Sequence, residues 1–139
     1  MMNIKSIPAF EFISEQSVEI IRKEGEILEF PIGAPICRPN SIPNKVLIIL
    51  SGEARVLYIE NQSQKTLTKI NTNSFIGLAS ILSVSGCEYI SASSKLMVLS
   101  IPDKIILDLY TKEIEFRNWC NKNILVSEIF SLAEKLQTN

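Results

Sequence analysis

Short apolar segments, most of them of the length typical of a β-strand, fill the centre of the chain. A β-branched apolar run, Val46–Leu50, is broken by Ser51-Gly52, and the next segment places Ala54, Val56 and Tyr58 on one face. The pattern predicts a β-sandwich or barrel of many short strands from about Glu26 to Ile101. The predicted strands lie at Glu26–Phe30, Ile36–Cys37, Lys45–Leu50, Glu53–Ile59, Lys65–Ile70 and Leu96–Ile101, with a hairpin loop at Asn61–Gln64.

Helical patterns flank this zone on both sides. Before it, over about 10–23, Ser14 is placed to cap a helix that Gly25 ends. After it, over 103–137, Asp103 is a plausible N-cap, and a second segment runs over Glu113–Asn121. The last segment, Ile124–Gln137, has apolar residues at helical spacing. With no linker between the zones, residues 1–139 are predicted to form one domain.

Composition and charge narrow the possible partners. The 139 residues are 46% hydrophobic and 21% charged, which is typical of a globular domain. The net charge of −1 provides no basic field for a phosphate backbone, so we expect no nucleic acid partner. The apolar runs are too short for a membrane span, and the beginning of the sequence does not resemble a signal peptide. We therefore expect no direct membrane insertion.

The residue types present argue against catalysis. The chain has no histidine, which excludes Ser-His triads and histidine metal sites. Three cysteines, Cys37, Cys87 and Cys120, match no zinc or redox spacing, and they are expected to be packed thiols in a reducing cytoplasm. We therefore predict a protein that is not an enzyme and holds no metal.

Three stretches carry a resemblance to a known family. Gly33-Ala34-Pro35-Ile36, Val46–Val56 around Gly52, and Leu99–Pro102 occur in the order found in cyclic nucleotide-binding domains, including those of catabolite activator-like proteins. The turn at Gly52 is expected to need a positive φ. The resemblance implies a mainly β fold with flanking helices, the jelly-roll-like β-roll or double-stranded β-helix, and a regulatory role driven by a small-molecule effector.

The resemblance also implies a ligand site. The stretch Asn73–Leu82 is similar to the phosphate cassette of the family, with Gly77 at its second glycine. The amides of Ala79, Ser80 and Ile81 would then face the phosphate of cAMP or cGMP. The candidate ligand-binding residues are those of the cassette and one residue of the strand that follows: Phe75, Ile76, Gly77, Leu78, Ala79, Ser80, Ile81 and Tyr89, with Leu78 and Tyr89 lining the pocket.

Two departures from the family predict weak or lost cyclic nucleotide binding. Leu78 stands where the family has a glutamate for the ribose hydroxyl. The stretch Ser85–Ala92 has no arginine to neutralise the phosphate and carries Glu88 instead. Losing a charge-assisted hydrogen bond costs about 1.5–3 kcal/mol, or one to two orders of magnitude in affinity.

Two roles therefore remain open. The domain is either a sensor whose ligand shifts the C-terminal helices, or a structural interaction or dimerisation module of a larger protein, with a homodimer formed through its C-terminal helices. The segments Glu115–Cys120 and Ser127–Phe130 resemble the end of regulatory domains that precede cyanobacterial peptidase-type ABC exporters. Phe116 and Trp119 are either buried anchors of a helix or part of a partner surface.

Overall fold

Two four-stranded antiparallel sheets with helices on one side make up the fold. The computed structural model describes residues 2–38, 43–83 and 89–125. Two single-turn 3₁₀ helices, Ile4–Ser6 and Pro8–Phe10, precede helix α1, Glu15–Glu24. The Ser14 hydroxyl accepts a hydrogen bond from the Ser17 amide at 3.2 Å, which confirms the predicted N-cap.

The strands follow α1 in the predicted order. They are β1 (Glu26–Phe30), β2 (Pro35–Cys37), β3 (Lys45–Ser51), β4 (Ala54–Glu60), β5 (Ser63–Ile70), β6 (Phe75–Ile76), β7 (Tyr89–Ala92) and β8 (Leu96–Pro102), with the short helix α2, Leu78–Ser83, after β6. The first sheet has the order β1-β8-β3-β6 and the second the order β2-β7-β4-β5. This arrangement confirms the predicted β-roll.

The turns between strands follow from local backbone chemistry. Asn61 and Gln62 have φ values of 50° and 66°, which suits a two-residue turn between β4 and β5. The predicted hairpin loop is therefore in the right place, but Ser63 and Gln64 already belong to β5. Gly52 has a φ of 97°, as predicted for the turn between β3 and β4.

The first sheet lies between two cores because its strands are apolar on both faces. On β3, Val46 and Ile48 belong to a helix-side core with α1 and the C-terminal helices. Ile49 belongs to an interior core between the two sheets. A sheet covered on both faces is expected to read as a continuous apolar run, as Val46–Leu50 does.

The C-terminal helices begin directly after β8. They are α3 (Asp103–Lys112) and α4 (Ile114–Cys120), followed by a π-helical turn, Asn121–Leu125. The prediction that Asp103 is an N-cap is wrong, because Asp103 is the first helical residue and Pro102 holds the N-cap position. The Asp103 amide instead donates to the Asn44 carbonyl at 3.0 Å, and α3 follows directly on Pro102, the last residue of β8.

Most of the last predicted helix lies outside the described residues. The structure describes the segment Ile124–Gln137 only at its first two positions, within the π-helical turn. The dimer predicted through it therefore stays a prediction. None of the helices in the described part of the chain has the length and hydropathy that crossing a membrane requires.

Candidate functional site

The candidate cassette is built around a tight turn between β6 and α2. Gly77 has a φ of 87°, in the left-handed region. A Cβ added at this position would lie 3.0 Å from Cγ of Pro43 and 3.4 Å from the carbonyl oxygen of Lys45. The backbone of the turn therefore passes close to the segment that enters β3, and a side chain would hold the two apart.

Backbone hydrogen bonds tie the start of the cassette to the first sheet. The Asn73 amide donates to the Ile49 carbonyl at 2.8 Å, and the Ile49 amide donates to the Ser74 carbonyl at 3.0 Å. Strand β6 then pairs with β3, with Ile76 opposite Leu47. These bonds place the cassette at the edge of the first sheet.

Helix α2 is buried along most of its length. Leu78 is 1% exposed, and Ala79, Ser80 and Ile81 are buried as well. Leu78 and Ile81 belong to the helix-side core, where they pack with residues of the N-terminal and C-terminal helices. Leu78 therefore contributes to the packing of the helices, in contrast to its predicted place in the lining of a ligand pocket.

The Ile81 amide is already used inside α2. It donates to the Gly77 carbonyl at 3.1 Å, which closes the first turn of the helix. The expectation that this amide faces a phosphate is therefore corrected, because an amide four positions after the first carbonyl of a helix is bonded within the helix.

The two residues of β6 point to opposite sides of the first sheet. Ile76 is 1% exposed and belongs to the interior core, whereas Phe75 packs against the helix-side core. The Phe75 ring lies 5.1 Å from the ring of Trp119 and 5.9 Å from that of Phe10, measured between centroids. Phe116 completes this aromatic cluster, with its ring centroid 5.5 Å from that of Phe10.

The aromatic cluster links three elements that are distant in the sequence. Phe10 ends the second 3₁₀ helix, Phe75 begins β6 within the cassette, and Phe116 and Trp119 belong to α4. Phe116 is fully buried, which fits its predicted use as an anchor of the helix. The cassette is thus in direct contact with α4, the second helix after the β-roll.

Tyr89 is not brought together with the interior of the β-roll. It pairs with Leu57 across β7 and β4, whereas Ile90 and Ala92, on the alternate positions of β7, belong to the interior core. Neighbouring residues of a strand point to opposite faces, so Tyr89 lies on the outer face of the second sheet. That Tyr89 lines a ligand pocket stays a prediction.

Among the residues whose side chains the structure describes, no charged residue is buried; the buried polar residues are Ser17, Ser80 and Ser100. The sequence contains no arginine or lysine between Lys69 and Lys95, a range that includes the cassette. On β4, Arg55 lies on the strand face opposite that of Ala54 and Val56, which belong to or pack against the interior core. The described interior therefore offers no cation to a phosphate.

Metal and thiol chemistry find little support in the described residues. Within those ranges, no group of metal-ligating side chains is close enough together to hold a metal ion. Burial raises the pKa of the Cys120 thiol to about 12, so it stays protonated at neutral pH. Cys87 and Glu88, like the rest of 84–88, lie outside the described residues.

A carboxylate that the sequence analysis did not select joins the two helical regions. Glu113, between α3 and α4, accepts hydrogen bonds from the Ser17 hydroxyl at 2.6 Å and the Ser14 hydroxyl at 2.9 Å. These hydrogen bonds, that of Ser17 first, lower the pKa of Glu113 below its usual value. No local sequence signal points to this contact, because Ser17 and Glu113 are separated by 96 positions.

An open groove lies away from the cassette. It has a volume of about 710 Å³ and runs between α1 and the edge strand β1. Its apolar lining comes from the N-terminus, α1, β1 and β8: Met2, Ile4, Ile21, Gly25, Ile27 and Leu99. None of these residues belongs to the cassette.

Comparison with known proteins agrees with this architecture. The sequence profile of the cyclic nucleotide-binding domain matches residues 27–113. A search of curated protein sequences gives no match.

Solved structures share the fold at low sequence identity. The catabolite activator protein of Thermus thermophilus superimposes with a TM-score of 0.73 at 16% identity, covering 94% of this chain and 62% of its own length. A protein of Geobacter metallireducens described as cyclic nucleotide-binding gives 0.72 at 15%, covering 95% of this chain and 99% of its own. A regulatory subunit of a cAMP-independent protein kinase A from Trypanosoma cruzi gives 0.74 at 11%, covering 95% and 47%.

The profile match covers well over half of the 139 residues and includes seven of the eight strands whole and most of the remaining one. The solved structures named above share the overall fold of this chain. The chain belongs to the cyclic nucleotide-binding domain family.

Proposed function

We propose that this chain is a single non-catalytic regulatory domain whose cassette binds cAMP and cGMP weakly or not at all. The observation that carries the proposal is the state of Leu78, which fills the ribose-binding position of the family and is buried in the helix-side core. An effector that acts on this domain is then a small molecule other than an ordinary cyclic nucleotide.

The phosphate of a cyclic nucleotide would lack a cationic partner. No arginine or lysine occurs between Lys69 and Lys95, and the described part of the chain buries no charged side chain. A charge-assisted hydrogen bond to phosphate contributes about 1.5–3 kcal/mol, so its loss weakens binding by about 10- to 150-fold. The loss of affinity falls on every ligand that carries a phosphate.

The ribose would lack its partner too. The Leu78 side chain has no acceptor for a hydroxyl, and it is buried among the residues of the helix-side core. A buried hydroxyl without a partner costs about 1–3 kcal/mol. The two losses act on different parts of the ligand and together favour a neutral, less polar effector.

A neutral ligand suits the interior of the β-roll. Six half-buried apolar residues pack against the interior core: Leu28, Phe30, Ile36, Leu47, Val56 and Ile70. Small-molecule sites are mostly apolar with a few polar groups. The Trypanosoma cruzi regulatory subunit, which shares this fold and is described as cAMP-independent, is bound to guanosine, a nucleoside without phosphate.

The aromatic cluster supplies a route for the signal. Phe75, the first residue of β6 in the cassette, packs on Trp119 and Phe116 of α4. A ligand that favours one position of β6 and α2 over another would shift α4 through these rings, provided its affinity differs between the two states. The output of the domain is therefore expected at the C-terminal helices.

Isothermal titration calorimetry with cAMP and with cGMP tests the proposal. We expect no saturable heat at micromolar ligand for either nucleotide, because both the phosphate and the ribose lack partners. A catabolite activator-type domain measured in parallel controls for ligand quality. Saturable micromolar binding of either nucleotide would overturn the proposal.

An interaction module is the second candidate function, and exposed apolar residues favour it. Phe12 is 69% exposed and Ile114 is 62% exposed, and they flank the contact between Ser14 and Glu113. As a module of a larger protein, such as an ABC exporter, the domain would have these residues covered by the rest of that protein, and a homodimer through the C-terminal helices is the alternative. Sedimentation velocity of the wild type and of Ile114→Ser tests self-association: a dimer that the variant weakens supports a module, and monomers in both cases argue against a homodimer.

A further inference from the structure

Glu113 joins the two C-terminal helices through its backbone. Its amide donates to the Leu109 carbonyl at 2.8 Å, which ends α3, and its carbonyl accepts from the Arg117 amide at 3.0 Å, which begins α4. Its φ of −100° and ψ of 100° are extended, so the chain changes direction here. Glu113 is therefore the hinge between α3 and α4.

The side chain of the same residue holds the start of α1. Its carboxylate accepts from the Ser17 hydroxyl at 2.6 Å, from the Ser14 hydroxyl at 2.9 Å and from the Ser14 amide at 3.3 Å. All three donors lie at or before the first turn of α1. A carboxylate is also favoured at this end of a helix by the helix dipole.

The contact between Glu113 and α1 is buried on the side of Ser17. Ser17 is only 7% exposed, and its hydroxyl has the shortest of the three hydrogen bonds to Glu113. Ser14 keeps its role as the N-cap at the same time, because its hydroxyl oxygen accepts from the Ser17 amide. The hinge and the start of α1 are thus joined by a clasp, which we define as Glu113 with Ser14 and Ser17.

We propose that this clasp couples the hinge between α3 and α4 to the start of α1, so that the two regions open and close together. A rotation of α4 at the hinge turns the Glu113 carboxylate away from both serines, and loosening of α1 removes the donors that hold the hinge. Coupling of this kind is reciprocal, since a free energy shared by two sites acts in both directions. The proposal adds a conformational device to the regulatory role proposed above, and it is measurable without a ligand.

Hydrogen–deuterium exchange tests the clasp from both ends in the ligand-free protein. Ser17→Ala removes the strongest donor and keeps the Ser14 cap, so we expect amides in 111–121 to exchange about tenfold faster, although the mutation lies in α1. Glu113→Gln removes the charge, and amides in 14–20 are expected to exchange faster by a similar factor. In each variant, faster exchange in the helix that does not carry the mutation is the measure of the coupling.

Glu115→Gln is the matched control, because Glu115 is an exposed glutamate of α4 outside the clasp. We expect it to leave exchange in 14–20 unchanged, and an effect equal to that of Glu113→Gln would overturn the proposal as a general charge effect. Exchange confined to the mutated helix in both Ser17→Ala and Glu113→Gln would also overturn it. Failure of every nucleotide to bind leaves this result unaffected, so the clasp and the proposed function are tested separately.

Discussion

At the scale of single residues, the backbone at Gly77 explains why the cassette cannot carry a side chain at this turn. Gly33 has nearly the same conformation, with a φ of 85° against 87° at Gly77. The surroundings differ, because a Cβ at Gly33 would meet nothing within 4 Å, whereas one at Gly77 would press on Pro43. Comparing substitutions at the two glycines therefore separates the free-energy cost of the backbone conformation from that of the close contact with Pro43.

We predict that Gly77→Ala lowers the free energy of unfolding more than Gly33→Ala. A left-handed conformation costs a non-glycine residue about 1–2 kcal/mol in either variant. The contact with Pro43 adds about 1 kcal/mol at Gly77, since the proline ring must move. Urea denaturation measures both variants, and equal losses would show that the contact is not formed.

The ionisation of Glu113 gives a prediction for pH dependence. The hydrogen bonds from Ser17 and Ser14 lower the pKa of Glu113 from its ordinary value of 4.5, and the nearby Lys112 lowers it further. A group whose pKa is depressed by folding stabilises the folded state above its unfolded pKa, and this stabilisation is lost as the pH falls through its folded pKa. We expect the stability difference between wild type and Glu113→Gln to be full at neutral pH and to shrink below pH 4.5.

Urea titrations at neutral pH and in acid measure this difference. Ser17→Ala should show a smaller difference from the wild type at neutral pH that shrinks over the same range. A gap between wild type and Glu113→Gln that is independent of pH would contradict a clasp formed by the ionised carboxylate.

At the scale of elements, α2 is one of the places where the β-roll contacts the helices. Leu78 and Ile81 face the helix-side core, and Phe75, just before them, packs on α4. In a cyclic nucleotide-binding domain that binds its ligand through a glutamate at the Leu78 position, one side chain less would be available to this core. The packing of α2 and the proposed loss of the ribose contact are therefore two results of the same residue.

We predict that Leu78→Glu destabilises the protein and does not restore cyclic nucleotide binding. An unpaired carboxylate in the helix-side core costs about 3–5 kcal/mol. Leu78→Met keeps the volume and polarity and should cost less than about 1.5 kcal/mol. Urea denaturation with calorimetry against cAMP checks both parts, and a stable Leu78→Glu variant that binds cAMP would contradict the account.

The aromatic cluster allows a second prediction at this scale. Phe116 is fully buried between Phe10 and Phe75, so Phe116→Ala is expected to cost about 3–5 kcal/mol and to change the fluorescence of Trp119. Phe12→Ala, at an exposed aromatic residue, should stay within about 0.5 kcal/mol of the wild type. Comparable losses in the two variants would show that Phe116 does not anchor α4.

At the scale of the whole molecule, local patterns predicted the order of the elements well. The run Val46–Leu50 and the cap at Ser14 depend on neighbouring residues alone, and both were predicted correctly. The face of Tyr89 depends on its pairing with Leu57, and the Glu113 contact joins residues 96 and 99 positions apart. A contact between side chains so far apart in the sequence leaves no local signal, which is why the sequence predicted the order of the elements but not the contacts of Glu113.

The central claim is that the phosphate adds nothing to binding by this domain. The most direct measurement is calorimetric titration with guanosine and with cGMP under one set of conditions. The account predicts that cGMP gives no saturable heat at micromolar ligand and binds no more tightly than guanosine. Tighter binding of cGMP, by tenfold or about 1.4 kcal/mol, would contradict it.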